Sequence, residues 1–106
     1  MIIGIDPGIS GGITYEFRKE ILALKMPKTK EEVFSELSRI SLKADGYEPI
    51  VCYIEKVGQY RPGNAGPASV TFARHVGNLE MALIALKIKY IQVSPQKWMN
   101  YFVGKL

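Results

Sequence analysis

Met1-Ile2-Ile3-Gly4-Ile5-Asp6-Pro7-Gly8 opens the chain, an apolar run that ends on a carboxylate at a turn. Proline fixes φ and glycine tolerates positive φ, so Pro7-Gly8 predicts a sharp bend that leaves Asp6 at the exposed end of a strand. Strand ends are where open sheets bind ligands and metals. Gly11-Gly12 follow, and two residues without side chains predict a surface that a bulky anion such as a nucleic-acid backbone approaches closely. The plain alternative is a strand capped by a turn, because aspartate is common in turns for local hydrogen-bonding reasons.

Beyond that strand, residues 12–17 and 21–26 read as a second and a third, joined by the polar Arg18-Lys19-Glu20. Three consecutive strands predict an antiparallel meander, which Pro27 ends. Thr29-Lys30-Glu31-Glu32 fits a capping box, and Val33, Phe34, Leu37, Ile40 and Ala44 share one helical face, which predicts a helix over 30–44. Ile50-Val51-Cys52-Tyr53-Ile54 is an almost continuous apolar run, as expected of a strand buried on both faces, and it ends on a second acid, Glu55. A Gly- and Pro-rich loop over 56–67 is long for a compact domain. The main helix is expected over 68–87, with Phe72, Val76, Leu79, Leu83 and Leu86 on one stripe and Gly77 allowing close packing on a sheet. Tyr90-Ile91-Gln92-Val93 reads as a fifth strand, and Ser94-Pro95 as the start of a helix over 96–103.

With 106 residues, 47% of them hydrophobic, the chain is long enough for one small domain with a core and too short for two. The net charge of +4, from 14 basic and 10 acidic residues, is a mild excess that suits an acidic partner without requiring one. Its distribution is more pointed, since no Asp or Glu follows Glu80 whereas lysines continue to Lys105. The single Cys52 excludes an internal disulfide and reads as a buried small hydrophobe in a reducing compartment, so the cytoplasm is expected. The N-terminus lacks a basic region before its apolar stretch, and no run reaches membrane-spanning length, so neither a signal peptide nor a transmembrane helix is expected.

A right-handed crossover through the first helix returns the fourth strand parallel to the first and beside it. Asp6 and Glu55 then become neighbours. Two carboxylates at adjacent strand ends repel unless protonated or bridged by a cation, so the pair predicts a Mg²⁺ or Mn²⁺ site with hard oxygen ligands, suited to phosphoryl transfer. The alternative is that Glu55 caps a strand beside Lys56.

Ile3-Gly4-Ile5-Asp6-Pro7-Gly8, Tyr53-Ile54-Glu55 and Ser94-Pro95-Gln96-Lys97-Trp98, in that order, resemble the RuvC-type Holliday junction resolvases of the ribonuclease H-like superfamily. The resemblance spans essentially the whole chain, as one domain. It implies an α/β, ribonuclease H-like fold: a mixed five-stranded sheet, three-stranded antiparallel meander plus two parallel strands, flanked by helices. It also implies a metal-dependent endonuclease of DNA recombination or repair that binds branched DNA as a homodimer, in the cytoplasm of a bacterial or phage-infected cell. Asp6 corresponds to the family's first catalytic acid and Glu55 to its second. In the family a later helix supplies one or two further aspartates, whereas this sequence has no acid beyond Glu80. The chain is therefore expected to lack that helix, to be truncated relative to the family and to cleave little or not at all.

Glu80 is a candidate third metal ligand, with a half-buried structural acid as the alternative. His75, the only histidine, is weighed as a base or DNA contact against a partly exposed helix residue. Gln59, Tyr60, Arg61 and Asn64 are the candidate DNA contacts, because an aromatic beside a cation stacks on an unpaired base while holding a phosphate. Trp98, Met99, Tyr101 and Phe102 read as core rather than a stacking patch, and as a self-association surface if a missing segment normally covers them. Lys25, Lys28 and Lys30 read as a solvated face. Actin-like and sugar-kinase ATPases share the Gly-Ile-Asp-X-Gly turn, but their cleft needs several times this length and a second phosphate loop. A non-catalytic nucleic-acid-binding or protein-interaction module on the same scaffold remains open.

Overall fold

The computed structural model describes residues 1–44, 46, 48–56 and 66–94. Its elements run β1 (Ile2–Asp6), β2 (Gly12–Phe17), β3 (Glu20–Lys25), α1 (Lys30–Lys43), β4 (Val51–Glu55), α2 (Pro67–Ala85) and β5 (Lys89–Val93). The strands form one sheet in the order β3-β2-β1-β4-β5. β1, β2 and β3 pair antiparallel, and β1, β4 and β5 pair parallel. This is the mixed α/β sheet expected from the apolar runs. The segments 57–65 and 95–106, and with them the expected final helix, lie outside the described residues.

Local chemistry sets the ends of each element. Arg18 and Lys19 form a two-residue turn with φ of 51° and 67°, a conformation that hairpins more often give to Asn-Gly. Because neither residue signals such a turn, β3 begins at Glu20, one residue earlier than the sequence suggests. The Oγ1 of Thr29 accepts the backbone N–H of Glu32 at 3.1 Å, so the cap starts α1 where expected. Pro67 opens α2, where a missing N–H costs nothing. That helix ends two residues before the expected Lys87. Lys87 turns to a φ of 58°, and the N–H of Ile88 bonds back to the carbonyl of Leu83, which sends Ile88 into the core.

Strand alternation sorts the side chains onto two faces. Ile3, Ile5, Ile13, Tyr15, Cys52 and Ile54 point to one face, where Val33, Leu37 and Ile40 of α1 and Leu79, Ala82 and Leu83 of α2 complete the core. Among the described residues both helices lie on this face. The expectation that the fourth strand is buried on both sides is therefore corrected. Cys52 and Ile54 are buried, while Val51, Tyr53 and Glu55 are half-buried on the open face. Gly77 is also corrected: it faces outward with open space around it rather than packing on the sheet. No helix of the described residues is long and apolar enough to cross a membrane.

β1, β3, β4 and β5 all run in one direction, so their C-terminal ends meet at one pole of the sheet, together with the start of α1. Leu37 of α1 is fully buried in the core between the helices and the sheet. Replacing it by alanine is expected to cost about 2–5 kcal/mol, a large part of the roughly 5–15 kcal/mol available to a domain of this size. Urea denaturation of Leu37→Ala checks this, with an unchanged slope and a lower midpoint as the expected result.

Candidate active site

Asp6 and Glu55 end neighbouring parallel strands. Ile5 pairs with Ile54, so the next residues stand side by side, about 4.8 Å apart in backbone spacing. Both project from the open face, opposite the helices. Glu55 is held above the ordinary glutamate range, first by burial, then by hydrogen bonding with the neighbouring Asp6 carboxyl and by its charge. From β1 the chain leaves to β2 on one side and reaches β4 on the other through α1, so the pair sits where connections diverge, the place where open α/β sheets bind ligands.

The turn after β1 is tighter than Pro7-Gly8 alone implies. Gly8 takes a φ of 113°, and the N–H of Gly11 closes the turn on the carbonyl of Gly8 at 3.0 Å. A Cβ on Gly11 would stand 1.9 Å from the carbonyl oxygen of Asp6, and one on Gly12 would stand 2.8 Å from that of Leu24. These glycines are required by the backbone folding back on itself, a different reason from the open anion surface inferred from sequence. The turn forms one wall of an open cleft of about 550 Å³ that starts at Asp6, and Ala68, Thr71 and Phe72 of α2 form the other. Ile9 at the tip of the turn is 93% exposed. The cap of α2, Gly66, is extended and offers no side-chain hydrogen bond, and the first turn holds no acid, so neither the cap nor the first turn compensates the positive end of the helix.

The structure does not bring Glu80 to the pair. Its carboxylate accepts the hydroxyl of Tyr90 at 2.9 Å, joining α2 to β5 and pushing the Tyr90 hydroxyl pKa up. Glu80 is thus the half-buried structural acid of the alternative reading. Among the described residues no group of three His, Cys, Asp or Glu is placed to hold a metal. His75 is half-buried, burial pushes its pKa down, and its Nε2 is buried without a partner among the described residues. Cys52 is buried and its thiol is pushed up to about 12 by burial, which makes it inert core. Gln59, Tyr60, Arg61 and Asn64, and likewise Trp98, Met99, Tyr101 and Phe102, lie outside the described residues. Sequence reasoning missed Phe72, whose ring would lie 3.4 Å from a Cβ on Gly8; its place on the apolar stripe marked it only as core.

A scan against protein-family models finds no match, and a search of curated proteins finds none. Among solved structures, Thermus thermophilus RuvC in complex with a Holliday junction substrate is similar, at 14% identity and a TM-score of 0.57 over 93% of this chain and 67% of that one. A second Thermus thermophilus RuvC structure is similar at 18% identity and a TM-score of 0.53, over 97% of this chain and 69% of that one. Identity at this level speaks to fold alone: the chain has the ribonuclease H-like α/β fold of these structures.

The raised Glu55 carboxyl has a consequence for stability. In the folded chain Glu55 keeps its proton to higher pH than in the unfolded chain, so stability is fullest below the ordinary glutamate pKa and falls as pH rises above it. In EDTA at pH 7, Asp6→Asn removes the like charge and is expected to raise Tm by roughly 1–5 °C. The gain should shrink on acidification through the raised range of Glu55, as that carboxyl takes up its proton and the repulsion is lost. Thermal melting across pH checks both.

Proposed function

We propose that this domain is a divalent-metal-dependent endonuclease scaffold for branched DNA, acting in recombination or repair on Holliday junctions or related branches. The observation that carries the reading is the Asp6–Glu55 pair at the switch point of a RuvC-like sheet, with Asp6 also lining the cleft beside the start of α2. The donor set fits Mg²⁺ or Mn²⁺: two hard oxygen ligands on adjacent strands, whose mutual repulsion and partial burial a cation would relieve. When bound there, such an ion polarises a phosphodiester and lowers the pKa of a coordinated water. Asp6 and Glu55 hold it, the glycine turn fixes the position of Asp6, and the uncapped start of α2 favours an anion in the cleft. The segment from Glu55 to α2 carries Gln59, Tyr60, Arg61 and Asn64, our candidates for DNA contact.

The second copy expected of a homodimer suits the outer side of α2, where Val70, Met81 and Ile84 are each more than half exposed and Gly77 leaves room for close approach. A second reading, binding without cutting, is favoured by one observation: no third metal-binding carboxylate joins the pair among the described residues. Two carboxylates hold an ion weakly, so slow nicking by the 106-residue chain is expected on the first reading and none on the second.

Binding and melting together test the proposal. Mn²⁺ at ten times its Kd should stabilise the wild type by about 1.4 kcal/mol and leave Asp6→Asn unmoved. Fluorescence anisotropy should show a labelled four-way junction bound more tightly than linear duplex, and sedimentation should give two chains per junction. Equal affinity for junction and duplex, with no effect of Mn²⁺ on melting, would remove the basis of the reading. Tight junction binding without any Mn²⁺ effect would favour the non-catalytic module. Robust nicking abolished by Asp6→Asn would show that two carboxylates suffice.

A further inference from the structure

The sheet register aligns more than the acid pair. Asp6 pairs with Gly12, and Gly12 pairs with Lys25, so one row across the open face reads Lys25, Gly12, Asp6, Glu55. Leu24 packs against the core, so its neighbour Lys25 projects from the opposite face, the face of Asp6. Two strand spacings, about 10 Å, separate the backbones of Asp6 and Lys25. Between them the row holds Gly12. Gly12 has no side chain and its backbone admits none, since a Cβ would meet the Leu24 carbonyl. In the row behind, Gly4 pairs with Thr14 and Thr14 with Ala23, and the Thr14 hydroxyl donates to the Gly4 carbonyl at 3.4 Å rather than standing out. Beside Asp6 lies a shallow hollow of about 200 Å³ lined by Asp6, Gly12, Ile13, Thr14, Ala23 and Leu24, and Lys25 follows the last of these in the chain.

Lys25 is exposed and makes no ion pair with any described residue. Lys28 and Lys30 follow it at the same pole, both exposed and likewise without an ion pair among the described residues. At the opposite pole Lys19, Lys87 and Lys89 likewise make no ion pair among the described residues, and three other cations there are engaged. Arg18 lies 5.0 Å from the centre of the Phe17 ring, Lys43 lies over Phe17 and Tyr15, and Arg39 is paired with Glu36. Two such cations stand level with the carboxylates: Lys56, directly after Glu55, and Lys25, which alone of the two lies on the sheet row of Asp6.

Resting on the reading of Asp6 and Glu55 as a metal site for a DNA strand, we propose that Lys25 is a positioning residue that binds a backbone phosphate next to the one held at the carboxylate pair. The strand crosses the sheet's C-terminal pole toward β3. The hollow over Gly12 accepts the sugar between the two phosphates, and Lys25 holds the second as a point charge on a flexible stem. Lys28 and Lys30 continue the positive edge beyond it. A lysine in this role contributes affinity without sequence preference and makes binding salt-dependent.

The test measures binding of a labelled four-way junction in EDTA over a series of salt concentrations, for wild type, Lys25→Gln, Lys25→Arg and Lys19→Gln. Lys19 is an exposed cation at the opposite pole and serves as the control. Losing one phosphate contact lowers the slope of log K against log salt by about 0.9, which is about an eightfold loss of affinity at 0.1 M salt. Lys25→Gln should show both changes, Lys25→Arg should keep the wild-type slope, and Lys19→Gln should match wild type. If wild type binds and Lys25→Gln keeps its slope, the assignment of Lys25 falls while the site reading stands. If wild type binds no DNA, both fall.

Discussion

The parallel pairing of β1 with β4 is the constraint on which the rest of this molecule depends. It needs the crossover through α1, whose buried Val33, Leu37 and Ile40 seal one face of the sheet. The same pairing sets Ile5 beside Ile54 in the core and, one residue on, Asp6 beside Glu55 on the open face. A slip of one residue would exchange the two sets, burying carboxylates and exposing isoleucines, so the core enforces the register that makes the acid pair. The pair is thus held by hydrophobic packing on the other side of the sheet, and not by any attraction of its own.

That arrangement has an electrostatic cost. Two carboxylates share the end of a sheet where burial and mutual charge raise Glu55, and a fold with no use for the pair would gain by replacing one of them. Around it the backbone leaves room: a glycine turn that side chains cannot enter, an uncapped helix start across the cleft, and a lysine two strands away on the same row. Positive potential lies on both flanks of a site that is itself negative. This suits a cation in the middle and a polyanion passing over it.

Much of this was legible in the sequence. The apolar runs ending in Asp6 and Glu55 and the Thr29 cap are local signals, and the structure follows them closely. What was not legible depends on tertiary arrangement. Val51 and Tyr53 make the fourth strand look fully buried, yet both helices pack on one face. Gly77 suggested close packing but faces outward. Glu80 lies beside the apolar stripe of its helix, and only the position of Tyr90 shows what it bonds. Lys25 read as a solvated cation because its alignment with Asp6 passes through two strand registers and a two-residue turn that Arg18-Lys19 do not announce.

The central claim is that Asp6 and Glu55 share a divalent cation. The most direct measurement is a crystal structure of the chain soaked in Mn²⁺, with the ion located by its anomalous scattering. The account predicts an anomalous peak between the two carboxylates, with oxygen ligands at about 2.0–2.2 Å for an ion between Mg²⁺ and Ca²⁺ in size. A well-occupied Mn²⁺ elsewhere, with the carboxyls of Asp6 and Glu55 still hydrogen-bonded to each other, would contradict it.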